Sequence, residues 1–344
     1  MANARDVAKA SGVSVATVSY ILNNKPINIR PETRARVLQA MRDLDYRATA
    51  APKRHKHSRL DIGVVFANSP HIRLLEQPYF NQILDGVVYT GTTHHHNITL
   101  FCDPSWGDVR KSLRLYCDGR CDGLLLLGPD VTDGLVDAIL ERGLPFVMVN
   151  SGALGERMPS VDIDHDHAGY LVGTYLCGRG HSRIAIFPGE SHKASSIHRV
   201  QGCLRALAGE GHTCPDNWMP PGGYNRESGY ARTMELFAHG VTANSPTALF
   251  CCNDSIAQGA YMAFRELGVR VPGDVSVIGF DDVVFAEHMD PPLTTVRQPL
   301  QQIGERATDI LIDQIRQDSN SRIVQKEVLP VEIVERCSVS LPRP

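Results

Sequence analysis

The feature that most constrains the fold is a regular alternation of short apolar runs and amphipathic stretches after residue 60. The apolar runs are rich in Val, Ile and Leu, and they read IGVVF, ITLFC, GLLLLG, PFVMVN, RIAIFPG, TALFCC and VSVIGF. Between them lie the helix-like stretches YFNQILDGVVY, GLVDAILERG, GYLVGTYLCGRG, RVQGCLRALAGEG, GYARTMELFAHG and DSIAQGAYMAFRELG. Single helices between strands bounded by Gly or Pro predict βαβ units with parallel strands. Because so many strands would make one sheet unusually wide, we expect two parallel sheets.

The first 47 residues have a different pattern, with three short helical segments and no strand-like run. Gly12 supplies a turn after the first segment, Ser14 is a suitable N-cap for the second, and Pro31 suits the first turn of the third. The expected apolar stripes are Val7, Ala8 and Ser11; Val15, Val18, Ile21 and Leu22; and Val37, Leu38, Met41 and Leu44. A helix, a glycine turn, a short helix and a longer helix form the organisation of a helix-turn-helix headpiece. Its short second helix, SVATVSYILNN, would enter a DNA major groove.

Charge is divided unequally along the chain. Residues 1–59 hold 12 Lys and Arg and 4 Asp and Glu, a net charge of +8, whereas the remaining 23 basic and 34 acidic residues give −11. A small basic module joined to a large acidic one indicates a polyanionic partner for the first module only. The alternative is a basic solvated tail, which the helical pattern disfavours.

Length and composition indicate a globular protein of two or three domains, since 344 residues exceed the usual size of one. No cationic segment followed by an apolar run opens the chain, and no run of about 18 apolar residues occurs, so we expect a cytoplasmic protein without a membrane partner. Nine cysteines without a CxxC pair fit scattered reduced thiols.

The motifs of enzymes and metal sites are incomplete or missing in this sequence. DIDHDHAG places Asp162, Asp164 and Asp166 like the start of a calcium loop, but His167 stands where that loop needs glycine. The histidines 94–96 fit a solvated loop, and GRGHSR lacks the later glycine of a dinucleotide-binding motif. No G-x-S-x-G, Walker or H-E-x-x-H motif occurs. We therefore expect neither catalytic residues, nor a cofactor, nor a metal.

Two headpiece stretches, DVAKASGVSVATVSYILNN and ETRARVLQAMRDLDY, closely resemble the lactose/galactose-repressor family of bacterial transcription regulators. The resemblance continues through DGLLLLGP, PSVDIDHDHAGYLVGTYLCGRGHSRIAIF, CNDSIAQGAYMAFRELGVRVPGDVSVIGFDD and PPLTTVRQP. It implies an all-α helix-turn-helix headpiece followed by a two-lobed α/β domain like that of periplasmic sugar-binding proteins, with a parallel, Rossmann-like sheet in each lobe. The chain would cross between the lobes three times.

The resemblance also sets the expected domain boundaries. The headpiece would hold residues 1–47, a hinge 48–59, and an effector-binding and dimerisation domain 60–344. Within that domain, one lobe would hold about 60–160 and 293–326, and the other about 161–292 and 327–344.

By the same resemblance, the second helix carries most of the contacts with DNA. Ser14, Thr17 and Ser19 would face the phosphate backbone, while Val15, Ala16 and Tyr20 would occupy the base-reading positions. Val15 and Ala16 offer only methyl contacts, so Tyr20 is expected to add the hydrogen bond of this group. Asn23, at the end of the helix, completes the set.

The hinge departs from the family pattern. Relatives carry a hinge helix whose leucine wedges into the minor groove, but here the stretch reads RATAAPKRHKHSR, with Pro52 inside it and His55 where the leucine is expected. Lys53, Arg54 and His55 are still expected to contact DNA, chiefly its phosphates. We hypothesise that this protein kinks its operator less than its relatives do.

The effector would lie between the lobes, at the carboxyl ends of the parallel strands. The positions that match the family's effector contacts, or that line the same cleft, are Tyr79, Phe80, Asn150, Arg199, Tyr224, Asn253, Asp281 and Gln298. Asp254 and Asp282 are expected to be structural acceptors instead. Asp and Asn accept hydrogen bonds from neighbouring hydroxyls, and an aromatic face covers the apolar side of a ring.

The function that these features favour is a repressor that binds a near-palindromic DNA operator as a homodimer, under control of a small molecule. A sugar or sugar derivative is the expected effector. A purine-like co-repressor is the alternative, because Phe80 and Tyr224 could sandwich a flat ring. A solute-binding protein without a regulatory role is a third reading, which the basic headpiece disfavours.

Overall fold

The computed structural model describes residues 4–22, 29–44, 59–66, 78–101, 108–128, 134–149, 158–317 and 323–343. Five residues with expected functions lie outside the described residues, namely Asn23, Lys53, Arg54, His55 and Asn150. The chain divides into two compact units, Met1–His55 and Lys56–Pro344.

The first unit is a small three-helix headpiece. Its helices are α1 (Ala4–Ser11), α2 (Val15–Leu22) and α3 (Pro31–Asp43). Gly12, at φ +65°, makes the turn between α1 and α2, and the backbone N–H of Thr17 donates to Ser14 Oγ over 3.1 Å. The predicted turn and N-cap are therefore confirmed.

The headpiece core is narrower than the apolar pattern predicts. It is formed by Val7, Ala8, Val18, Ile21, Val37 and Ala40. Leu38 is 42% exposed, Leu44 is 37% exposed and Val15 of α2 is 45% exposed, so their assignment to the apolar stripes that form the core was wrong. Three short helices enclose only a narrow face of α3, and Leu38 lies about 100° around the helix from Val37.

The second unit contains the remaining helices and all the strands of the described residues. The strands are β1 (Asp61–Phe66), β2 (Asn97–Phe101), β3 (Gly123–Leu127), β4 (Phe146–Val149), β5 (Ser160–Ile163), β6 (Ile184–Phe187), β7 (Ala248–Cys251), β8 (Ser276–Ile278), β9 (Thr295–Arg297), β10 (Lys326–Leu329) and β11 (Glu332–Val334). The helices are α4 (Pro78–Thr93), α5 (Val109–Tyr116), α6 (Leu135–Glu141), α7 (His165–Gly178), α8 (Ala194–Gly209), α9 (Arg226–Leu236), α10 (Asp254–Leu267) and α11 (Leu300–Arg316).

Two parallel sheets form the two lobes, as the sequence predicts. The first has the order β10-β5-β4-β3-β1-β2 and the second the order β6-β7-β8. Every neighbouring pair within these two sheets is parallel. The buried strands β3, β4, β6 and β7 are apolar throughout, because helices cover both faces of a parallel sheet.

The connections between the lobes use short strands that apolar runs did not reveal. The chain leaves the first lobe after Ile163 and has returned to it by α11, which packs against α4, β3 and β4. Strand β10 then lies beside β5 in the first sheet. Near the crossings, β9 pairs antiparallel with β11. Strands β5 (SVDI) and β10 (KEVL) carry charged residues and are too short to stand out in the sequence.

Candidate functional site

The outward side of α2 presents the residues predicted to meet DNA. Val18 and Ile21 of α2 are buried in the headpiece core. Ser14, Val15, Ala16 and Ser19 are exposed, and Thr17 and Tyr20 are partly exposed. Val15 reaches 45% exposure, which is high for a valine in a small domain and leaves its methyl groups available for contact. The individual contacts with phosphates and bases stay predictions.

A buried arginine organises the cleft face of the second lobe. Arg199 lies on α8 and is only 2% exposed. Its Nη1 donates to the carbonyl oxygen of Cys252 over 2.6 Å, and its Nε donates to Nδ1 of His165 over 3.2 Å. A buried guanidinium needs such acceptors, because an unpaired buried charge is very costly.

The guanidinium of Arg199 also connects aromatic and acidic side chains. It stacks on the ring of Phe280, with its Cζ atom 3.7 Å from the ring centroid. Nη1 lies 3.6 Å from Oδ1 of Asp281. Tyr224 is further away, with its ring centroid 5.8 Å from Cζ. One cation thus joins α8 to the ends of two strand-following loops.

Asp281 follows β8 in an unusual backbone conformation, with φ at +114°. Its Oδ1 accepts a 2.6 Å hydrogen bond from Nε2 of Gln298. Burial raises the pKa of Asp281 to about 7, and the Arg199 guanidinium and the Gln298 amide offset only part of that effect. The second amide atom of Gln298, Oε1, is buried without a hydrogen-bond partner among the described residues.

Asn253 and Tyr224 hold each other at the opposite side of the cluster. Oδ1 of Asn253 caps α10 by accepting from the N–H of Ile256 over 2.8 Å, and its Nδ2 donates to the carbonyl oxygen of Tyr224 over 3.1 Å. The Tyr224 hydroxyl lies 3.3 Å from Ser195 Oγ. The Tyr224 ring covers Gly189 so closely that a Cβ there would overlap it.

The first lobe contributes aromatic side chains from the start of α4. Tyr79 and Phe80 meet edge to face, with ring centroids 5.2 Å apart, and Phe80 meets Phe66 in the same way at 5.7 Å. The Tyr79 hydroxyl is buried without a hydrogen-bond partner in the described part of the chain. Burial raises the pKa of Tyr79 well above its ordinary value, and the carboxylates of Asp281 and Asp162 raise it further. Of these two carboxylates, Asp162 belongs to the same lobe as Tyr79, and Asp281 belongs to the other lobe.

The structure gathers most of the expected cleft residues. It brings together Arg199, Tyr224, Asn253, Asp281, Gln298 and Tyr79, while Phe80 packs at the edge of the group. Sequence reasoning missed His165, Phe280, Ser195 and Lys193, whose Nζ donates across the lobes to the carbonyl oxygen of Gly128 over 3.2 Å. The available indication was their position directly after strands or at the start of α7 and α8.

The two aspartates assigned structural roles do have them. Asp254 accepts from Thr295 Oγ1 over 2.6 Å and from the N–H of Val283 over 3.0 Å. Asp282 is paired with Arg297 and Arg336, each at 2.7 Å. That prediction is confirmed.

The acidic residues at the end of β5 and directly after it have partners within the protein. Asp164 caps α7 by accepting from the N–H of His167 over 2.9 Å, and Asp162 faces His165. Within the described residues, no group of three His, Cys, Asp or Glu side chains is arranged to hold a metal ion. No described helix is long and apolar enough to span a membrane.

Comparisons with known proteins give one family match in the headpiece and another in the two-lobed second unit. Residues 3–48 match the family described as bacterial regulatory proteins, lacI family, and residues 174–339 match a periplasmic binding protein-like domain. The HTH-type transcriptional repressor PurR of Proteus mirabilis (strain HI4320) is 34% identical over 349 residues, which cover 99% of this chain and 97% of the relative.

Solved structures show the same likeness. A transcriptional regulator CelR–cellobiose complex has a TM-score of 0.75 and 28% identity, and the match covers 98% of this chain and 100% of that one. A LacI family transcriptional regulator from Enterococcus faecium with bound ribose has a TM-score of 0.70 and 25% identity, covering 82% and 100%.

Proposed function

This chain belongs to the lacI family of bacterial regulatory proteins, and we propose that it is a transcription repressor that binds a near-palindromic operator as a homodimer in the cytoplasm and senses a small ring-shaped effector between its lobes. The observation that carries the proposal is one chain that joins a basic helix-turn-helix headpiece to a cleft holding a buried arginine, a buried aspartate and several aromatic rings. A single recognition helix reads few base pairs, so two headpieces are needed for a selective site.

The DNA-binding part of the proposal is supported by charge and exposure. The net charge of +8 in residues 1–59 suits phosphate contacts, which provide most non-specific affinity. The exposed side of α2 offers the methyl groups of Val15 and Ala16 and the hydroxyl of Tyr20, which suit thymine methyl groups and one hydrogen-bonding base edge.

For the effector, we favour a flat nitrogen heterocycle such as a purine base over the sugar that the sequence indicated. A polyhydroxylated ligand needs many polar partners, yet Arg199, Asn253 and Asp281 each use part of their hydrogen-bonding capacity within the protein. Among the described residues of the cleft, the buried polar atoms without any protein partner include the amide oxygen of Gln298 and the hydroxyl of Tyr79. A flat ring held between aromatic faces, with one polar edge toward the Gln298 amide oxygen and the Tyr79 hydroxyl, suits these groups.

The sugar alternative is supported by the two similar structures that contain cellobiose and ribose. The full-length relatives at 34% identity carry the name PurR. Both ligand classes would use the same cleft, so the choice between them does not change the mechanism.

The regulatory mechanism follows from the two lobes. An effector that contacts Tyr79 in one lobe and Arg199 in the other favours one angle between the lobes, and it changes operator affinity as far as it prefers that angle. By linkage, the operator must change effector affinity by the same factor. An effector that strengthens operator binding gives a factor above one, and an effector that releases DNA gives a factor below one.

A thermal-shift screen followed by gel shift tests the proposal. Purine bases and sugars would be screened for a raised melting temperature, because a ligand that binds the folded state stabilises it. A purine base should raise it, and the same base should change affinity for a duplex selected from a random library. Arg199→Ala should abolish the shift, and Arg270→Ala, at an exposed arginine of the same lobe, should retain it. A selected duplex bound no better than random DNA would refute the regulatory role. A shift with sugars alone would refute the purine assignment.

A further inference from the structure

Three side chains from three different elements form a line behind the cleft. Asp162 is on β5, His165 is the first residue of α7, and Arg199 is on α8. Nε of Arg199 donates to Nδ1 of His165 over 3.2 Å, and Nε2 of His165 lies 3.1 Å from Oδ1 of Asp162. The His165 side chain is 1% exposed and that of Asp162 12%, so the line is shielded from water.

The geometry fixes the chemical state of the imidazole. An arginine Nε–H can only donate, so Nδ1 of His165 must carry a lone pair. The proton of the neutral ring then sits on Nε2 and is donated to the Asp162 carboxylate. The charged groups facing the ring are Asp162 from β5 and Arg199 and His198 from α8. Burial lowers the pKa of His165, which agrees with a neutral ring.

The line spans the first crossing between the lobes. Strand β5 belongs to the six-stranded sheet of the first lobe, whereas α7 packs against α8 in the second. Only Asp164 lies between the end of β5 at Ile163 and the start of α7. A change in the angle between the lobes must rotate the backbone near Asp164. Because Asp162 and His165 lie on opposite sides of Asp164, their contact must then change.

We propose that Asp162 and His165 are positioning residues that hold Arg199 for the effector and couple its engagement to the angle between the lobes. The inference rests on the proposed function, because it needs an effector in contact with Arg199. His165 supplies the acceptor that orients the guanidinium, and Asp162 connects that acceptor to the sheet of the other lobe.

The residue types themselves support this assignment. Val161 and Ile163 on β5 are buried and apolar, as befits a strand in a parallel sheet. A carboxylate between them is costly to bury, and replacing a buried charged pair with apolar residues is often neutral or stabilising. Oδ1 of Asp162 also accepts from the backbone N–H of Ile163 over 2.8 Å, but that bond stays within the strand, whereas its contact with His165 reaches the first helix of the other lobe.

The tautomer can be tested without any effector. In full-length protein labelled with ¹⁵N-histidine, the His165 resonances should show an unprotonated Nδ1 and a protonated Nε2 at pH 7.5. Asp162→Asn should shift the Nε2 resonance, whereas Asp164→Asn, the same change at the exposed helix cap, should leave it in place. A His165 ring protonated on Nδ1 would overturn the proposal.

Binding of hypoxanthine, adenine and guanine, measured by calorimetry, tests the positioning role. His165→Phe keeps a ring but removes the acceptor, and affinity for whichever base binds should fall at least about tenfold. His165→Asn places an amide oxygen near the position of Nδ1 and should restore affinity to within about threefold of the unsubstituted protein. His167→Phe, on the exposed side of the same helix, is the matched control and should have no effect. Equal affinities in the Phe and Asn variants at position 165 would overturn the role.

The coupling role is tested with the selected operator duplex and the same base. Asp162→Asn should leave base affinity within about threefold but reduce the base-induced change in operator affinity at least about threefold. Asp164→Asn should leave both unchanged. If Asp162→Asn alters neither quantity, Asp162 does not couple the lobes. If no purine base binds at all, the purine assignment fails. The tautomer measurement then still decides whether Nδ1 of His165 accepts from Arg199.

Discussion

Arg199 shows how single side chains prepare the cleft for a ligand. Its guanidinium is held by a carbonyl oxygen, an imidazole nitrogen and an aromatic face, so that its position is set before a ligand binds. Binding then needs little further ordering of this side chain, which reduces the entropic cost of association. Within the described part of the chain, the unsatisfied atoms on Tyr79 and Gln298 are the positions where the proposed ligand would add hydrogen bonds.

The buried carboxyl of Asp281 should make stability depend on pH. Its folded-state pKa is about 7, above the value of about 4 in an unfolded chain. Between these values the folded state keeps a proton that the unfolded state has released, so stability falls as pH rises from about 4 to about 7. The slope from this group is at most about 1.4 kcal/mol per pH unit.

Asp281→Asn should therefore flatten the pH dependence of the free energy of unfolding between pH 5 and 7, as measured by urea titration. Part of the slope should remain, because burial also raises the pKa of Asp254. Asp216→Asn, at an exposed position, serves as the control. An unchanged slope in Asp281→Asn would show that Asp281 is ionised throughout this range.

Among the three predicted base-reading positions of α2, Tyr20 supplies the polar group. Tyr20→Phe removes only the hydroxyl, and the loss of one hydrogen bond should weaken specific operator binding about fivefold, or about 1 kcal/mol. Affinity for random DNA should not change, because phosphate contacts remain. Fluorescence anisotropy with both duplexes measures the two effects, with Tyr89→Phe, at an exposed position of the second unit, as the control. Equal losses on both duplexes would argue against base reading.

At the scale of elements, paired glycines set the distance between helices. Helices α7 and α8 approach backbone to backbone where Gly169 faces Arg199 and Gly202 faces Asp166. The pairs α9–α10 and α4–α11 make the same kind of reciprocal contact through Gly229 with Gly259 and Gly86 with Gly304. Because α7 begins with His165 and α8 carries Arg199, the first of these contacts also fixes the distance between them.

Gly202→Ala should separate α7 from α8. A methyl group there would overlap the carbonyl oxygen of Asp166, so the free energy of unfolding should fall by about 1–3 kcal/mol or more. Gly209→Ala, at the end of the same helix with open space around it, should raise stability by up to about 1 kcal/mol. Chemical denaturation measures both, and a neutral Gly202→Ala would mean that the helices can move apart freely.

At the scale of the whole molecule, charge and architecture divide the work between the two units. The basic headpiece attracts DNA, and the acidic remainder is repelled by it, so that only the headpiece is drawn to the duplex. The first lobe contributes the aromatic rings of Tyr79 and Phe80 to the cleft. The second lobe contributes the charged groups of Arg199 and Asp281 together with the rings of Tyr224 and Phe280. The affinity of the proposed effector, which contacts both lobes, should therefore depend on the angle between them.

A repressor of this kind should be a dimer at the concentrations where it binds its operator. Sedimentation equilibrium should give twice the 37.8 kDa of one chain, and a duplex with two half-sites should bind far more tightly than one with a single half-site. A mass of one chain together with equal binding to both duplexes would contradict the homodimer.

The sequence by itself determined the local structure and the division of the chain. The apolar runs that alternate with helical stretches specified two parallel sheets, and Gly12, Ser14 and Pro31 marked the turn and helix starts of the headpiece, because periodicity and capping depend only on near neighbours. The resemblance to a family identified most of the cleft residues. The contacts of all these residues with an effector or with DNA stay predictions, including those of Asn23, Asn150 and the basic hinge residues, which lie outside the described residues.

Only the tertiary structure decided which distant residues meet. The side chains of Asp162, His165 and Arg199 come together because β5 ends in one lobe and α7 begins in the other, and the sequence showed only an acidic stretch resembling part of a calcium loop. The same holds for Leu38, whose exposure depends on how much of α3 its neighbours cover. Contacts between residues far apart in the chain depend on strand order and lobe packing, which local patterns do not encode.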